Sequence, residues 1–222
     1  MAIEHREPEV ATAVIGTGGL GSAIARLLAA GGERLRLSSA DQESARTLAA
    51  AIGPTAIAAS SNEEALRGAD AAVLALRFTA LKGVIDELAG PLAGKLTIVP
   101  SNPVTLDNQG NVGRVLSEGQ AAGEVVRSWL PAEARLAMTF GTMSAPLLES
   151  SSNRSPERAV LFYATDDERA GQGAERLIRT AGFEPLKVGG LGQSTRLEVG
   201  GDLHELVVDL ARARSLVTAV AT

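Results

Sequence analysis

Three glycines near the start of the chain have the spacing of a phosphate-binding loop. Gly16, Gly18 and Gly21 form the pattern G-x-G-x-x-G within the residues VIGTGGLG. The pattern follows an apolar run at residues 11–15 that predicts a buried strand, and it opens a stretch with helical spacing at residues 20–30. In that context the first glycine makes a tight turn, the second lets a pyrophosphate approach the backbone, and the third lets helix and strand pack closely. The sequence predicts a dinucleotide site; a plain strand-to-helix turn is the alternative.

The predicted diphosphate contacts come from this loop and the first helical turn. Backbone amides at a helix N-terminus and the helix dipole favour an anion there. The hydroxyl of Thr17 can donate a further hydrogen bond to the diphosphate, beside those from the backbone amides. The predicted cofactor-binding residues of the loop are Gly16, Thr17, Gly18, Gly19, Leu20 and Gly21.

The end of the second predicted strand distinguishes NADP from NAD. An acidic residue there binds the ribose hydroxyls of NAD, whereas hydroxyl and cationic side chains suit the 2′-phosphate of NADP. The chain has Ser38 and Ser39 at this place and no acid, which favours NADP(H). Asp41 follows, where capping of the next helix accounts for it. Arg46, one turn into that helix, is either a phosphate ligand or a solvated helix residue.

Two further stretches are expected where the nicotinamide half of the cofactor would lie, at the carboxyl ends of the fourth and fifth strands. Leu76 and Arg77 follow the most apolar strand, and Asn102 follows the next strand before Pro103. Arg77 needs either solvent or an anionic partner. Asn102 offers an amide to a ligand, although ordinary turn chemistry explains Asn-Pro equally well. We predict that these three residues bind the cofactor.

The order of elements predicts a single α/β domain over residues 11–222, with a flexible N-terminus at residues 1–10. Strands and helices alternate up to about residue 100, which indicates a Rossmann-type, doubly wound and mostly parallel sheet. Residues 120–222 are expected to extend this sheet and to form the side that meets the second redox partner. Residues 103–120 are rich in glycine and asparagine and predict a long surface loop. From residue 195 the chain is expected to be largely helical.

Composition excludes several classes of function. The 222 residues include no cysteine and two histidines, so disulfides, thiolate zinc sites and a histidine-rich metal centre are excluded. The net charge is −5 and no basic stripe occurs, which argues against nucleic-acid binding. No run approaches 18 apolar residues and the polar start does not resemble a signal peptide, so a cytoplasmic protein without membrane contact is expected.

Residues 206–220 are apolar on one side, with Arg212 and Arg214 on the other. An amphipathic helix of this kind has to bury its apolar face, either on its own sheet or on a second subunit. We therefore expect a homodimer, which is the commonest oligomer.

The motifs together resemble the coenzyme F-420-dependent NADP oxidoreductase family over roughly residues 11–205. The resemblance rests on VIGTGGLG, the two serines after the second strand, ALRF, SNPV, TFGTM and LFYATDD. It implies a hydride transfer between NADP(H) and a second redox partner, which is the deazaflavin coenzyme F-420 in the founding members. It also implies that residues 17–20 contact the diphosphate, Ser39 the 2′-phosphate, and Leu76 and Arg77 the cofactor.

The same resemblance places Thr142, Met143 and Ser144 near the nicotinamide and the acceptor. The chain departs from the family pattern at three positions: Ala40 replaces a common arginine, Arg77 a proline and Gly141 an asparagine.

Two further features are acidic or basic side chains, at His204 and at the pair Asp166 and Asp167. His204 lies beside two carboxylates and is either a proton donor to the substrate or a surface residue at the start of the last helix. Asp166 and Asp167 begin a predicted helix, where carboxylates stabilise exposed amides.

The sequence thus supports an NADP(H)-dependent oxidoreductase acting on a small-molecule redox partner. Because no acid or base is evident, an NADP(H)-binding sensor without turnover is the alternative. Imine and hydroxy-acid dehydrogenases share the N-terminal pattern but add a large helical domain for which this chain is too short.

Overall fold

An eight-stranded sheet organises the molecule. The computed structural model describes residues 11–106, 109 and 111–219. The predicted flexible segment at residues 1–10 lies outside these residues. The strands are β1 (Ala11–Ile15), β2 (Arg34–Ser38), β3 (Ala56–Ala58), β4 (Ala71–Leu74), β5 (Leu96–Val99), β6 (Val104–Leu106), β7 (Val112–Arg114), β8 (Arg135–Thr139), β9 (Val160–Ala164) and β10 (Glu184–Gly189).

Helices connect these strands and cover both faces of the sheet. They are α1 (Gly19–Ala30), α2 (Gln42–Ile52), α3 (Asn62–Leu66), α4 (Phe78–Glu87), α5 (Ala89–Leu92), α6 (Ala122–Trp129), α7 (Ala145–Ser151), α8 (Glu168–Thr180) and α9 (Leu210–Thr218), with a 3-10 helix at Leu191–Arg196. No helix in the described part of the chain is long and apolar enough to cross a membrane.

The sheet has the strand order β10-β9-β8-β5-β4-β1-β2-β3. All neighbours pair in parallel except β8 and β9, which are antiparallel through Met138–Ala164 and Thr139–Tyr163. This confirms the predicted Rossmann-type, mostly parallel sheet. The strands β1, β2, β4, β5 and β8 end at one edge, called here the carboxyl edge, whereas β9 and β10 end at the opposite edge.

The core is aliphatic and lies on both faces of the sheet. The central strands β1, β4 and β5 are buried along their whole length, as expected for parallel strands covered on both sides. Successive residues alternate between the two clusters: Ala13 and Ile15 belong to one, and Val14 to the other. Small residues on the helices, such as Ala23 and Ala25 of α1, allow close helix–sheet packing.

Residues 103–120 are not the simple loop that the sequence predicts. The described part contains the antiparallel pair β6 and β7, joined through Val104–Arg114 and Leu106–Val112. Both strands are only three residues long, so their alternation is too brief to be recognised as a strand pattern. Asn108 and Gly110 of this segment lie outside the described residues.

The end of the chain also differs from the prediction. The expected helical tail from residue 195 is a 3-10 helix up to Arg196, an irregular stretch, and α9 from Leu210. His204 therefore does not begin the last helix. Leu210, Leu216 and Val217 of α9 pack on the chain's own core, so the apolar face that suggested a second subunit is covered within the chain.

Helix α3 is capped by Ser61, whose hydroxyl accepts from the Glu64 amide at 3.1 Å. Helix α7, between β8 and β9, was not predicted from the sequence.

Candidate dinucleotide and acceptor site

The glycine loop connects β1 to α1 at the carboxyl edge. Gly16 has φ +100°, and a Cβ atom there would collide with the carbonyl oxygen of Ala75. A Cβ atom at Gly21 would collide with the carbonyl oxygen of Gly16. The amide of Gly16 donates to the Ser38 carbonyl at 2.8 Å, which fixes the turn to β2. The first and third glycines of the motif are therefore required by backbone packing.

The second glycine has a different environment. Gly18 and Gly19 are exposed, and no atom lies within 4 Å of a Cβ placed on either. Gly18 is the N-cap of α1 and provides no side chain to its amides, and no acidic residue lies in the first turn. The first amides of a helix have no partner inside it, so this open surface can accept an anion.

Thr17 has a buried hydroxyl oxygen without a hydrogen-bond partner. Such an orphaned group is rare and calls for a ligand or water. Leu20 is half-buried and packs on the core cluster beneath the loop. The open backbone at Gly18 and the orphaned hydroxyl of Thr17 fit a dinucleotide diphosphate.

The end of β2 carries the residues predicted to meet the 2′-phosphate. Ser38 is buried and donates its hydroxyl to Asn62 Oδ1 at 2.8 Å, so it faces a neighbouring side chain. The hydroxyl of half-buried Ser39 forms no hydrogen bond within the described residues. Asp41 accepts from the Glu43 amide at 3.1 Å and caps α2, as its position suggested.

Arg46 is 64% exposed in its side chain and lies 3.5 Å from Glu43. Its role as a phosphate ligand stays a prediction. In this conformation Arg46 pairs with its own helix.

The carboxyl ends of β4 and β5 meet beside the glycine loop. Arg77 is the N-cap residue of α4, is exposed, and makes no side-chain bond among the described residues. Leu76 is half-buried, and its carbonyl oxygen accepts the Ser101 hydroxyl. Solvent thus satisfies Arg77 in this conformation, and its cation remains accessible to an anion.

Asn102 is bound on both sides by the protein. Its Nδ2 donates to the Gly141 carbonyl at 2.8 Å, and its Oδ1 accepts from the Val199 amide at 2.7 Å. The amide that the sequence offered to a cofactor therefore joins three segments of the chain. Its role as a cofactor ligand stays a prediction.

The end of β8 has an unusual backbone. Phe140 is fully buried and has φ +66°, a left-handed conformation that is costly for a bulky residue. A Cβ atom at Gly141 would collide with the Pro100 carbonyl. In this backbone no side chain therefore fits at position 141.

The predicted acceptor residues that follow lie in different environments. Thr142 is buried and its hydroxyl oxygen has no hydrogen-bond partner. Met143 is 2% exposed and belongs to the core, so it does not face the surface. Ser144 is exposed and donates both its amide and its hydroxyl to the Glu205 carboxylate.

His204 is brought to this same place by the irregular stretch before α9. Its Nε2 lies 4.0 Å from Glu205 Oε1, and its Nδ1 is buried without a partner. The Glu205 amide donates to the Thr142 carbonyl at 2.7 Å. The structure therefore gathers Thr142, Ser144 and His204, although they are far apart in sequence.

Glu198 is a buried carboxylate that the sequence analysis missed. It accepts from the Ala122 amide at 2.8 Å, from the Ser194 hydroxyl at 3.0 Å and from Arg114 at 2.8 Å. These partners include residues 76 and 84 positions away, so no local spacing marks it. A narrow cavity of about 20 Å³, room for about one water, lies beside it and is lined also by Asn102 and Thr142.

Asp166 and Asp167 lie at the opposite edge because β9 is reversed. Asp167 accepts from the Ala170 amide at 2.7 Å and caps α8, and Asp166 accepts from the Leu191 amide at 3.2 Å. The predicted capping of this helix is therefore confirmed for Asp167, whereas Asp166 binds the start of the 3-10 helix instead.

Comparisons with known proteins agree with this geometry. Residues 11–103 match the model of the NADP oxidoreductase, coenzyme F-420-dependent, family. No curated protein has a significant sequence match to the chain.

Several solved structures share the fold. A hypothetical protein of Sinorhizobium meliloti has 23% identity and a TM-score of 0.80, over 90% of this chain and 95% of that one. A protein of Arthrobacter sp. FB24, provisionally named an F-420-dependent NADP reductase, has 21% identity and a TM-score of 0.72, over 95% of both chains.

Pyrroline carboxylate reductase of Plasmodium falciparum, solved with NADP bound, has 15% identity and a TM-score of 0.53 over 81% of this chain. The match spans 58% of that enzyme, so the two proteins share a Rossmann part and not a whole architecture.

These likenesses show the fold, and the family match covers the strands and loop that form the dinucleotide end of the site. The resemblance found in the sequence is thereby confirmed for residues 11–103, which match the model of the coenzyme F-420-dependent family of NADP oxidoreductases.

Proposed function

We propose that the chain transfers a hydride between NADP(H), bound along the carboxyl edge, and a small-molecule redox partner bound over the ends of β5 and β8. The observation that carries this proposal is the glycine loop, with two packed glycines and an open one beside the orphaned hydroxyl of Thr17. The parallel strands β1, β4, β5 and β8 bring the loop, Arg77, Asn102 and Thr142 to one edge.

NADP(H) is favoured over NAD(H) at the ribose end. Ser39 has a free hydroxyl within the described residues, and no carboxylate occupies the end of β2 to repel a 2′-phosphate. Asn62 is a further polar group here, since it holds the Ser38 hydroxyl. The family name and the NADP-bound neighbour support the same cofactor.

We further propose coenzyme F-420 as a candidate partner, on the strength of the family match. Bound NADPH supplies a hydride from its nicotinamide ring. The acceptor gains that hydride and one proton from water, so that NADPH, acceptor and proton give NADP⁺ and the two-electron-reduced acceptor. The residues of this chain bind and orient both molecules, and the catalytic residues stay unassigned.

A second candidate function is a sensor that holds NADP(H) without turnover. It is favoured by the engagement of the two carboxylates at the β8 end, because Glu198 pairs with Arg114 and Glu205 binds Ser144. Neither is free to act as an acid or base in this conformation.

Calorimetric titration with NADPH and with NADH tests the cofactor. We expect NADPH to bind at least about tenfold more tightly, which is about 1.4 kcal/mol. Ser39→Ala should remove much of that preference and leave NADH affinity unchanged. Ser150→Ala, an exposed serine on α7, is the matched control. Equal affinities in the native protein would contradict the NADP(H) assignment.

Oxidation of NADPH in the presence of deazaflavin, flavin or quinone acceptors then separates the two functions. Turnover with one of them supports the oxidoreductase. Tight NADPH binding without turnover for any acceptor supports the sensor.

A homodimer also remains a proposal. The acceptor side lies beside exposed Val112, Val115 and Val199, which a second subunit can cover. Light scattering at micromolar concentration gives a mass near 23 kDa if the chain is a monomer.

A further inference from the structure

Residues 197–205, called here the crossing segment, run along the carboxyl edge and are tied to it at two places. At the first, Asn102 donates to the Gly141 carbonyl at 2.8 Å and accepts from the Val199 amide at 2.7 Å. One side chain at the end of β5 thereby holds both the end of β8 and the crossing segment.

The second tie is made by Glu205. Its amide donates to the Thr142 carbonyl at 2.7 Å, and its carboxylate accepts from the amide and the hydroxyl of Ser144. Glu205 has φ +57°, and Phe140, just before the tied residues, has φ +66°. Left-handed non-glycine residues persist only where surrounding contacts over-determine them, and they concentrate at functional sites.

Burial does not explain these bonds. Val199 and Glu205 are exposed, with Val199 at 38%, so water can satisfy their polar groups without any protein partner. The bonds instead fix where the exposed residues of the segment lie, whereas Leu197, Glu198 and Leu203 of the same segment are held by their burial. Between the two ties, the Thr142 hydroxyl remains buried and without a partner at the end of β8.

We propose that Asn102 and Glu205 are positioning residues for the redox end of the site. They hold the crossing segment and residues 141–144 in a fixed relation, so that the surface facing the nicotinamide and its partner is formed before either molecule binds. This inference rests on the proposed function. It also assigns Asn102 a role other than the direct cofactor contact that its sequence position predicts, because both of its polar atoms are engaged by the backbone.

Variants of Asn102 test the first tie. Asn102→Ala removes both bonds, whereas Asn102→Asp retains an acceptor for the Val199 amide and loses the donor to Gly141. The matched control is Asn153→Asp, an exposed asparagine whose side chain binds Ser152 away from this edge. We expect hydrogen exchange of the Val199 amide to accelerate about fivefold in Asn102→Ala, as for one lost hydrogen bond, and to recover in Asn102→Asp.

The same variants separate positioning from cofactor binding. NADPH affinity should stay within about twofold, while the fluorescence of bound NADPH changes because the nicotinamide surroundings are no longer fixed. The turnover number should fall by up to about 100-fold in Asn102→Ala, the scale set by a misplacement near 1 Å. The fall should be in kcat and not in the KM for NADPH.

Glu205→Ala and Glu205→Gln test the second tie, with Glu149→Ala as the exposed control that loses a surface pair with Arg26. The glutamine variant keeps one acceptor for the Ser144 amide and should recover part of the effect. A fall in NADPH affinity equal to the fall in kcat/KM would make Asn102 a cofactor ligand and overturn the proposal. Unchanged exchange and unchanged fluorescence in both alanine variants would overturn it as well.

These outcomes are distinct from a failure of the proposed function. If the native protein turns over no acceptor, the oxidoreductase assignment fails, and exchange and NADPH fluorescence still decide whether the two residues fix the redox end. If NADPH does not bind at all, the exchange result stands as a purely structural role, and the positioning proposal is rejected.

Discussion

The two ends of the carboxyl edge are held in place by different kinds of interaction. Over β1, the glycine loop is shaped by the backbone: the Gly16 amide bonds to the Ser38 carbonyl, and Gly21 packs on the Gly16 carbonyl. Over β5 and β8, side chains hold the structure, with Asn102, Glu198 and Glu205 each joining distant segments.

The difference between the two ends corresponds to a difference between the two molecules that they are proposed to bind. A diphosphate is the same in every dinucleotide, and a fixed backbone with glycines at set positions binds it. A redox partner differs between proteins, and exchangeable side chains at the far end can be altered without disturbing the loop. The predictions that follow test whether this division is real.

The largest effect on stability is expected at the glycine loop, where two backbone segments are in direct contact. Gly21→Ala should lower the free energy of unfolding by about 3 kcal/mol or more, because its Cβ collides with a carbonyl that cannot move without shifting β1. Urea denaturation measures this. Gly19→Ala, with open space around it, is the control and should be close to neutral. A stable Gly21→Ala protein would mean that the loop tolerates rearrangement.

At the side-chain end, Arg114→Ala should cost about 1–3 kcal/mol of unfolding free energy, since it leaves the Glu198 carboxylate, 4% exposed, without its cation. Adding Glu198→Gln should recover part of the loss by removing the buried charge. Arg46→Ala, which breaks an exposed pair, is the control and should cost no more than about 0.5 kcal/mol. If Arg114→Ala and Arg46→Ala lowered the free energy of unfolding equally, the buried pair of Arg114 with Glu198 would contribute no more to stability than an exposed pair.

Gly18→Ala tests the phosphate-binding role of the glycine loop separately from its stability. Gly18 has φ −69° and ψ −175°, which alanine adopts without strain, and its Cβ meets nothing. The free energy of unfolding should change by less than about 0.5 kcal/mol. NADPH affinity should fall about tenfold, as calorimetry can show, if the open space is where the pyrophosphate approaches. Unchanged affinity would remove the phosphate role from this glycine.

The smallest expected effect is on the stability of the protein at acidic pH. Hydrogen bonds from Arg196 hold the pKa of the Asp202 carboxyl below its ordinary value, although partial burial opposes them. A lowered folded-state pKa gives stability that is present above the unfolded value, about 3.9, and is lost as the pH falls through the folded value.

Asp202→Asn should therefore be less stable than the native protein at neutral pH, with a difference that shrinks below about pH 4. Because Asp202 is 48% exposed, the difference should stay under about 1 kcal/mol. Urea unfolding across the acid range measures it. A difference that persists unchanged at low pH would assign the loss to packing and not to charge.

The sequence could predict the dinucleotide end because the relevant information is local. The strand at residues 11–15, the glycines and the helix that follows are contiguous, and each has a known periodicity or backbone requirement. The same holds for the alternating elements up to β5 and for the capping role of Asp167.

The acceptor end could not be predicted in the same way. Asn102 and Val199 are 97 residues apart, and Ser144 and Glu205 are 61 apart, so no window of sequence contains both partners. His204 and Thr142 could be named as candidates but not placed together. The hairpin β6–β7 was missed for a different reason, since strands of three residues leave too little pattern to detect.

The antiparallel pairing of β8 and β9 has a consequence for the order of folding. Since β9 and β10 end at the far edge, the chain has to cross the molecule again before residue 199 can reach Asn102. The loop closed by that bond spans nearly half the protein, whereas the Ser101–Leu76 bond closes 25 residues. Long loops are entropically costly and close late. During synthesis the glycine loop and β1–β5 are made well before residue 199, so we expect the end of the edge over β5 and β8 to be the last part of the molecule to become fixed.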